Sequence, residues 1–283
     1  MSEIAFVNGT FMPLGQAVVP VEDRGFQFAD GVYEVVATYR GRPYALEPHL
    51  RRLERSLREL RIVLDIRAYG LAGVIEEGIR RSGFAEALVY VQITRGVAPR
   101  HHEFPAAGVK PTVVLTVKEL RRPAPELYEH GVRVIAVRDL RWKRCDIKSI
   151  ALLANILAKQ EAAEAGAFEA LLVDDQGQVT EGSSTSAFRV TGGGLWTAPE
   201  GPHILPSITR GILLDLARRI DLPVREEDST LEEYLRSDEV FLAGTTTEAM
   251  AVVRIGDQVI GDGRPGPVTR RLRAVFLADE GRG

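Results

Sequence analysis

The sequence has few of the residues on which several common kinds of site depend. Its 283 residues include a single cysteine, Cys145, which can form neither an internal disulfide nor a cysteine-based zinc site. The five histidines are scattered along the chain, and none belongs to an HExxH motif. We therefore expect no metal site, and the low cysteine content is typical of a reducing compartment such as the cytoplasm.

The chain also lacks the segments and the charge that direct a protein to membranes or nucleic acids. The first nine residues, MSEIAFVNG, contain neither a basic leader nor an apolar core, and the longest near-apolar run, IALLANILA at 150–158, is about half a membrane span. The formal charge is −3, so no broad positive field attracts a phosphate backbone. We expect a cytoplasmic protein with no membrane partner and no nucleic-acid partner.

Motifs of two large enzyme classes are missing as well. No GxSxG occurs, which argues against a serine hydrolase, and no GxGxxG follows a predicted strand, which argues against a Rossmann nucleotide site. The run Gly192-Gly193-Gly194 lies between two predicted strands and indicates an ordinary turn. The chemistry must therefore be sought in other residues.

Length and composition predict a folded chain of two domains, because most domains contain roughly 100 to 200 residues. Hydrophobic residues make up 45% of the chain and charged residues 27%, which is typical of globular proteins. Residues 1–120 mix strand and helix patterns, the segment 121–131 contains two prolines and predicts a linker, and residues 132–283 form a larger C-terminal domain. The predicted fold class is α/β, of the α+β kind.

Local patterns predict the main elements. Asn8-Gly9 between apolar runs predicts a hairpin turn, and dense β-branched and aromatic residues predict a strand at 31–39. Leucines at helical spacing predict a helix from Leu50, and the apolar run after Lys148 predicts a largely buried helix over 149–165. Further helices are predicted at 69–81, at 208–220 and from about 267, with strands at 87–95, 112–118, 132–138, 169–173, 185–191 and 239–243 and a hairpin near Gly256.

Lysine is scarce, which makes the candidates for amine catalysis easy to compare. A lysine that attacks a carbonyl to form a Schiff base must first lose its proton, which burial or a nearby positive charge favours. Four of the five lysines lie in loops, at a strand end or in charged stretches: Lys110, Lys118, Lys143 and Lys159. Lys148 differs because it precedes the apolar run SIALLANILA. The alternative interpretation is a partly buried lysine paired with Asp146.

Two segments have the character of anion-binding sites. The run Gly244-Thr245-Thr246-Thr247 follows a predicted strand and offers backbone amides and three hydroxyls. The run Pro206-Ser207-Ile208-Thr209 opens a predicted helix, whose N-terminus presents unpaired amides and the positive end of its dipole. Each run is also compatible with a plain turn or helix cap. Together they suggest a phosphorylated ligand.

Longer motifs resemble those of a known family. The segment RWKRCDIKS at 141–149, followed by TEGSSTS at 180–186, is similar to fold-type IV pyridoxal-phosphate enzymes. Within that family, EDRGFQFADGVYEVV at 22–36, QITRGVAPRHHEFP at 92–105 and LAKQEA at 157–162 resemble bacterial D-amino-acid aminotransferases. The resemblance covers nearly the whole chain and implies the two-domain fold-type IV architecture, with the active site at the domain interface.

The resemblance implies which residues bind pyridoxal 5′-phosphate. Lys148 would form the Schiff base and move a proton between substrate and cofactor, and Glu181 would keep the pyridine nitrogen protonated. Arg52 matches the phosphate-binding arginine of the family, although helical spacing does not distinguish it from its neighbours. The remaining cofactor-binding residues implied by the resemblance are Ser184, Ile208, Thr209 and Thr245. Gly244 replaces a hydroxyl residue of the family, so one phosphate contact is either made by the backbone or missing.

The resemblance also implies how the substrate is held. Tyr33, Arg100 and His102 match the residues that bind the α-carboxylate, and a guanidinium fork suits that group. His101 stands between Arg100 and His102, where the family often carries a small residue. Because this loop reaches the active site of the neighbouring subunit in the family, a homodimer is implied. The expected activity is a ping-pong transfer of the amino group from a D-amino acid, such as D-alanine, to a 2-oxo acid, such as 2-oxoglutarate.

Other activities remain open. Within the same fold they are an (R)-selective amine transaminase, a branched-chain aminotransferase and an aminodeoxychorismate lyase, and the presence of Arg100 and His102 argues against a pure amine enzyme. A noncatalytic protein that binds a phosphorylated ligand belongs to a different class. The intact Lys148 and Glu181 argue against it.

Overall fold

The computed structural model describes residues 1–281 and divides the chain into two compact units. Unit 1 consists of Met1–Arg121 together with Ile147–Ala151, and unit 2 consists of Arg122–Asp146 together with the chain from Leu152 onwards. The sequence patterns assign residues 147–151 to the C-terminal domain. In the structure they belong to unit 1, because their backbone pairs with a strand of that unit.

Unit 1 is a six-stranded antiparallel sheet with helices on one face. The strand order is β2-β1-β6-β5-β3-β4. The strands are β1 (Ile4–Val7), β2 (Thr10–Pro13), β3 (Gly31–Tyr39), β4 (Arg42–Pro43), β5 (Ala87–Thr94) and β6 (Thr112–Glu119), and the helices are α1 (Arg24–Phe28), α2 (Leu46–Glu59) and α3 (Leu71–Ser82).

The two faces of this sheet have different surroundings, as the alternation of side chains along each strand requires. On β3, Val32 and Val36 are fully buried and join the core formed with the leucines and isoleucines of α2 and α3. Tyr33 and Val35 point to the opposite face and are only half-buried. There Tyr33 stacks on Tyr90 of β5, with ring centroids 5.6 Å apart. One face of the sheet therefore forms the core of unit 1, and the other presents aromatic side chains.

Unit 2 is built on a nine-stranded mixed sheet in the order β12-β11-β10-β13-β14-β7-β8-β9, with β15 paired to β14. The strands are β7 (Val132–Arg138), β8 (Glu169–Val173), β9 (Val179–Gly182), β10 (Ser186–Thr191), β11 (Gly194–Thr197), β12 (Val224–Glu226), β13 (Glu239–Gly244), β14 (Glu248–Ile255) and β15 (Gln258–Val259). The helices are α4 (Pro125–His130), α5 (Leu153–Glu164), α6 (Ile208–Arg219), α7 (Leu231–Leu235) and α8 (Pro267–Asp279).

Most of the predicted elements are confirmed. The hairpin turn at Asn8-Gly9 has positive φ at both residues, as a tight two-residue turn requires, and the strand predicted at 31–39 has those bounds. Gly192 and Gly193 form the turn between β10 and β11, and Gly194 is the first residue of β11. The segment predicted as a linker, 121–131, contains α4. Within the described residues, no helix has the length and apolar character needed to span a bilayer.

One predicted helix is wrong in its start and in its burial. The helix expected from residue 149 begins at Leu153, because Ser149 and Ile150 are held beside β3. Its apolar side chains are exposed rather than buried: Leu153 is 71% exposed, and Ile156 and Leu157 are each 60% exposed. The side of α5 that carries Leu153, Ile156 and Leu157 is therefore not covered by any of residues 1–281.

Candidate active site

Lys148 lies in an extended segment beside β3, next to another predicted site residue. The amide of Tyr33 donates to the carbonyl of Lys148 at 3.0 Å, and Val32 forms an isolated antiparallel bridge with Ser149. These contacts place the Lys148 ammonium 4.2 Å from the centroid of the Tyr33 ring, a distance typical of a cation–π contact. The Asp146 carboxylate, the alternative partner considered for this lysine, accepts from Arg144 at 2.9 Å. The structure therefore brings Lys148 and Tyr33 together.

A glycine makes this close approach possible. A side chain at Gly31 would lie 2.8 Å from the carbonyl oxygen of Ile93 and 3.1 Å from Cδ1 of Ile150. The first distance is too short for a Cβ atom, and the second is tighter than most Cβ contacts. In the native chain the amide of Ile150 donates to the carbonyl of Gly31 at 3.1 Å. The glycine at the start of β3 thus lets the lysine segment pack against the strand.

Arg52 belongs to a buried cluster of charged groups that was not predicted from the sequence. Its Nε and Nη2 atoms donate to the two carboxylate oxygens of Glu34 at 2.7 and 2.8 Å, and Nδ1 of His49 lies 2.7 Å from Glu34 Oε2. All three side chains are at most 8% exposed. A signal was present in the sequence: Glu34 is a charge on the core face of β3, and His49 and Arg52 are three residues apart on α2.

The charges of this cluster determine its protonation. Burial by itself raises the pKa of Glu34, but the charge and hydrogen bonds of Arg52, helped by His49, outweigh it and bring the pKa to about 2. Burial lowers the pKa of His49, and the hydrogen bond to Glu34 only partly opposes that effect. Glu34 is therefore a carboxylate at neutral pH, and it fixes the direction of the Arg52 guanidinium.

Arg100 and His102 lie on the long loop that joins β5 to β6, and both are exposed. The Arg100 guanidinium lies 4.4 Å from the centroid of the Phe28 ring, and the His102 ring meets the same ring edge-on at 5.6 Å. The structure thus brings these two predicted substrate residues together on one aromatic ring. Among residues 1–281, no hydrogen bond or ring contact joins Tyr33 to either of them.

In unit 2, the Glu181 carboxylate is held by several donors. The Arg141 guanidinium binds one of its oxygens, and the amide of Leu205 is 3.2 Å from both. Arg141 is fixed in turn by Asp139, whose Oδ2 accepts from Nη2 at 2.8 Å. Burial lowers the pKa of Arg141, but Asp139 and Glu181 raise it above its usual value. Glu181 is therefore a rigid acceptor beside a permanent positive charge.

The single cysteine is close to this carboxylate but does not provide a nucleophile. Burial raises the pKa of the Cys145 thiol to about 11, although Arg141 acts in the opposite direction. The thiol is therefore protonated at neutral pH and donates to the carbonyl of Trp142 at 3.1 Å. Lys148 remains the best candidate for attack on a carbonyl.

The two predicted anion sites also lie in unit 2. Ser207 caps α6: its hydroxyl accepts from the amide of Arg210, and its carbonyl accepts from Gly211. Ile208 and Thr209 are the first two residues of α6, whose amides have no partner within the helix, so both are placed to donate to an anion. The second run begins at Gly244, at the end of β13, and α6 packs against that strand.

The serine-rich loop after β9 adjoins the second anion site. Ser184 Oγ donates to the buried carboxylate of Glu169 at 2.8 Å, whereas the buried hydroxyl of Thr185 has no partner among the described residues. Thr185 Cγ2 would lie 3.7 Å from a Cβ at Gly244, an ordinary contact distance. The site could thus accommodate the hydroxyl residue of the family, and it offers an unsatisfied donor. These donors suit the phosphate of a cofactor.

The fold and these groups define the class of protein. Residues 31–255 match the model of the class IV amino-transferase family, and the chain belongs to that family. Class IV aminotransferases depend on pyridoxal 5′-phosphate, and the residues described above fit that cofactor, since they include a half-buried lysine, a fixed carboxylate and a set of anion donors. The predicted family, fold type and cofactor are confirmed.

Particular relatives are similar over nearly their whole length. The D-alanine aminotransferase of Staphylococcus haemolyticus is 39% identical over 272 residues, which cover 96% of this chain and 95% of the relative. The D-alanine aminotransferase of Bacillus licheniformis is 40% identical over 269 residues, which cover 95% of this chain and 94% of the relative. Among solved structures, the branched-chain amino acid aminotransferase of Escherichia coli has a TM-score of 0.91 at 25% identity, covering 98% and 94%. The T.th. branched-chain amino acid aminotransferase with pyridoxamine 5′-phosphate has a TM-score of 0.91 at 28% identity, covering 100% and 96%.

The Glu34 cluster predicts how stability depends on pH. Because the pKa of Glu34 is about 2 when folded and near 4.5 when unfolded, the unfolded chain binds its proton more readily. Its contribution is complete above pH 4.5 and is lost as the pH falls towards 2, by about 3 kcal/mol in total. The lowered pKa of His49 acts in the same direction, starting below its usual value of 6.5.

We expect Glu34→Gln to flatten the fall in unfolding free energy between pH 5 and pH 3, measured by urea denaturation. The variant is also less stable at pH 7, by roughly 3 to 5 kcal/mol, since Arg52 loses its buried partner. Glu76→Gln, on the exposed side of α3, is the matched control and keeps the wild-type pH dependence. Equal pH dependence in wild type and Glu34→Gln would contradict the assignment.

Proposed function

We propose that this protein transfers the amino group of D-amino acids, D-alanine among them, to 2-oxo acids such as 2-oxoglutarate. The observation that carries the proposal is the pair formed by Arg100 and His102 on the ring of Phe28. A guanidinium beside an imidazole suits a carboxylate, which a pure amine substrate lacks. The full-length similarity to D-alanine aminotransferases supports the same substrate class.

Each predicted cofactor residue has a defined part in this proposal. Bound pyridoxal 5′-phosphate supplies the electron sink that makes the Cα proton of an amino acid acidic. Lys148 would hold the cofactor through Nζ in the resting enzyme, and the same atom would carry the proton to and from the substrate Cα. Glu181 would hold the pyridine end of the cofactor and favour its protonated form, and Arg141 keeps this carboxylate in place.

The phosphate is bound by the donors of unit 2. The amides of Ile208 and Thr209 donate at the start of α6, where the helix dipole adds a favourable field. Ser184 and Thr245 contribute hydroxyls. We retain Arg52 as a further phosphate contact whose guanidinium is directed by Glu34. Gly244 offers its backbone only.

The carboxylate-binding residues determine the stereochemistry. Tyr33, Arg100 and His102 hold the α-carboxylate, so the Cα–H bond of one enantiomer alone points towards Lys148 Nζ. The reaction proceeds in two halves, and the same residues bind the carboxylate of the 2-oxo acid that collects the amino group. A substrate that lacks a carboxylate loses this orientation.

We also propose a homodimer in which the loop with Arg100 and His102 serves the neighbouring subunit. Leu153, Ile156 and Leu157 form an uncovered apolar face of α5, and a large exposed apolar patch indicates an interaction surface. Light scattering that gives the mass of one chain, 31.1 kDa, would contradict the dimer. A cytoplasmic location, expected from the sequence, stays a prediction.

A panel of amino donors tests the proposed substrate class. We expect initial rates with 2-oxoglutarate as acceptor to be highest for D-alanine, lower for (R)-1-phenylethylamine and lowest for L-leucine. The branched-chain aminotransferases among the structural neighbours make L-leucine the informative competitor. A fastest rate with L-leucine would overturn the assignment to D-amino acids.

Replacement of the lysine tests the covalent step. We expect Lys148→Ala to lose at least about 100-fold in kcat, because the general acid–base group is removed. Borohydride treatment of the wild-type holoenzyme, followed by peptide mapping, should find the cofactor on residue 148. Lys118→Ala, which alters an exposed lysine near the end of β6, is the control and should keep wild-type turnover. Cofactor fixed at another lysine would refute the mechanism.

Replacement of the arginine on the loop tests the carboxylate contact. We expect Arg100→Ala to raise KM for D-alanine and 2-oxoglutarate by roughly 30- to 150-fold, which corresponds to the ~2 to 3 kcal/mol of a charge-assisted hydrogen bond. The KM of an amine without a carboxylate should change much less. Equal losses for all three compounds would remove Arg100 from the carboxylate-binding set.

A further inference from the structure

Arg24, on the five-residue helix α1, is attached to the backbone of the loop that carries Arg100 and His102. Its Nη1 atom donates to the carbonyl of His101 at 2.7 Å, and its Nη2 atom is 3.5 Å from the carbonyl of His102. The backbone amide of Arg24 donates to the carbonyl of Gly96 at 2.9 Å. We call residues 97–105 the trap loop. Arg24 thus contacts it at the two residues that follow Arg100.

The guanidinium of Arg24 is itself fixed. Arg24 is buried, with only 4% of its surface exposed. Its Nε atom donates to Asp30 Oδ2 at 2.8 Å. Asp30 accepts two further hydrogen bonds from Arg95, at 2.7 and 2.9 Å. Arg95 donates to the carbonyls of Leu60 and Arg61, at the end of α2. A chain of charge-assisted hydrogen bonds therefore connects the trap loop to a helix of the core.

The ring of Phe28 contacts Arg24 and both predicted carboxylate-binding residues of the trap loop. The Arg24 guanidinium lies 4.8 Å from the centroid of its ring, in addition to the contacts of that ring with Arg100 and His102. Arg24 therefore touches the backbone of the trap loop and also the ring on which the two side chains rest.

We propose that Arg24 is a positioning residue for substrate carboxylate binding, because it fixes the backbone of the trap loop at His101 and His102 and thereby aims the side chains of Arg100 and His102. This inference rests on the proposed function. Arg24 does not contact the substrate, and its effect is transmitted through the loop.

The physical need for such an anchor follows from the loop itself. Residues 100–104 have no regular secondary structure and all five are exposed, so solvent competes for their backbone groups. An exposed loop samples many conformations, and a site that must hold a carboxylate loses affinity in proportion to the time spent elsewhere. Two carbonyls bound by one rigid guanidinium restrict that sampling, since the fork geometry directs both hydrogen bonds.

The first test compares substrates with and without a carboxylate. We expect Arg24→Gln holoenzyme to raise KM for D-alanine and for 2-oxoglutarate by roughly tenfold, with kcat changed less than about twofold, since a small displacement of a positioning group costs up to about 100-fold. The single-turnover reaction with D-alaninamide, which has the same Cα and no carboxylate, should be unchanged. Equal losses for D-alanine and D-alaninamide would overturn the proposal, because they would show general damage.

The second test asks whether Arg24 acts through Arg100. In the background of Arg100→Ala, the additional change Arg24→Gln should raise KM less than about twofold, because groups that act through one contact are not additive. A further tenfold rise in the double variant would overturn the proposal. Arg81→Gln is the matched control: Arg81 also lies over an aromatic ring, at 4.5 Å from Phe11, and pairs with Glu77, and both of these contacts are with residues outside the trap loop.

The third test does not depend on activity. We expect hydrogen exchange of peptides covering residues 97–105 to be faster in Arg24→Gln than in wild type, and the core peptides of β5 to be unchanged. If Arg24→Gln proves unstable, Arg24→Lys can replace it. Lysine retains the charge beside Asp30 but cannot bind both carbonyls, so we expect faster exchange of the same peptides and a roughly threefold rise in KM. Unchanged exchange and unchanged KM in a folded variant would refute the anchor.

These measurements separate the two proposals. If wild type does not use D-amino acids, the proposed function fails, whatever the exchange rates show. If Arg100→Ala raises KM as expected and Arg24→Gln does not, the proposed function stands and the anchoring role of Arg24 is wrong.

Discussion

The pairing of a five-residue segment with β3 is the constraint on which the candidate site depends. Residues 147–151 enter unit 1 and pair with β3 through backbone hydrogen bonds at Tyr33 and Ile150, which places Lys148 beside the Tyr33 ring. The sequence placed this lysine at the entry of a largely buried helix. Backbone pairing with β3 instead fixes the position of the Lys148 backbone before any ligand binds, and the entropy cost is included in the folding of unit 1.

Ion pairs with little exposure recur wherever a functional side chain must keep one direction. Glu34 directs Arg52, Asp139 directs Arg141, and Asp30 directs Arg24. Glu34 and Asp139 each accept from two nitrogens of their arginine, so the guanidinium plane is fixed as well as its position. Asp30 accepts from Arg24 through Nε, while the carbonyls of His101 and His102 accept from the other two nitrogens of Arg24. Such pairs are weak evidence for stability, because desolvation offsets much of the attraction. Their value at these places is geometric.

How much of the molecule the sequence predicted can be judged from particular residues. Hydrophobic alternation predicted β3 with its bounds, because one face of that strand is core and the periodicity of a strand is strict. The start of α5 was missed, since the run SIALLANILA has no Ser, Thr, Asp or Asn cap immediately before Leu153 and nothing local indicates that Ser149 pairs with a distant strand. Length and apolar content also suggested burial, whereas Leu153 and Ile156 are exposed.

For the candidate site, the sequence indicated which residues to consider but not which side chains contact them. Lys148 and Glu181 were identified because lysine is scarce and the motifs are long, but the contacts of Arg141 with Glu181 require the fold. Glu34 was missed because a glutamate in a strand pattern is read as solvent-facing, although its place between Val32 and Val36 assigns it to the core face. The requirement for glycine at position 31 could not be predicted from the sequence either, because it depends on how closely Ile93 and Ile150 approach in the fold.

The dominance of arginine among the cations has a chemical consequence for a lysine-dependent reaction. Arginine keeps its proton at any pH at which a protein is folded, so the buried cations Arg24, Arg52 and Arg141 cannot attack a carbonyl. They can hold carboxylates and phosphates without competing for the aldehyde of the cofactor. Covalent reactivity is therefore confined to the few lysines, and among the described residues Lys148 is the lysine that backbone pairing fixes beside an aromatic ring. The same division is compatible with guanidinium groups around the trap loop: Arg24 binds the loop backbone, and under the proposed function Arg100 would bind the substrate carboxylate while the reaction stays at one amine.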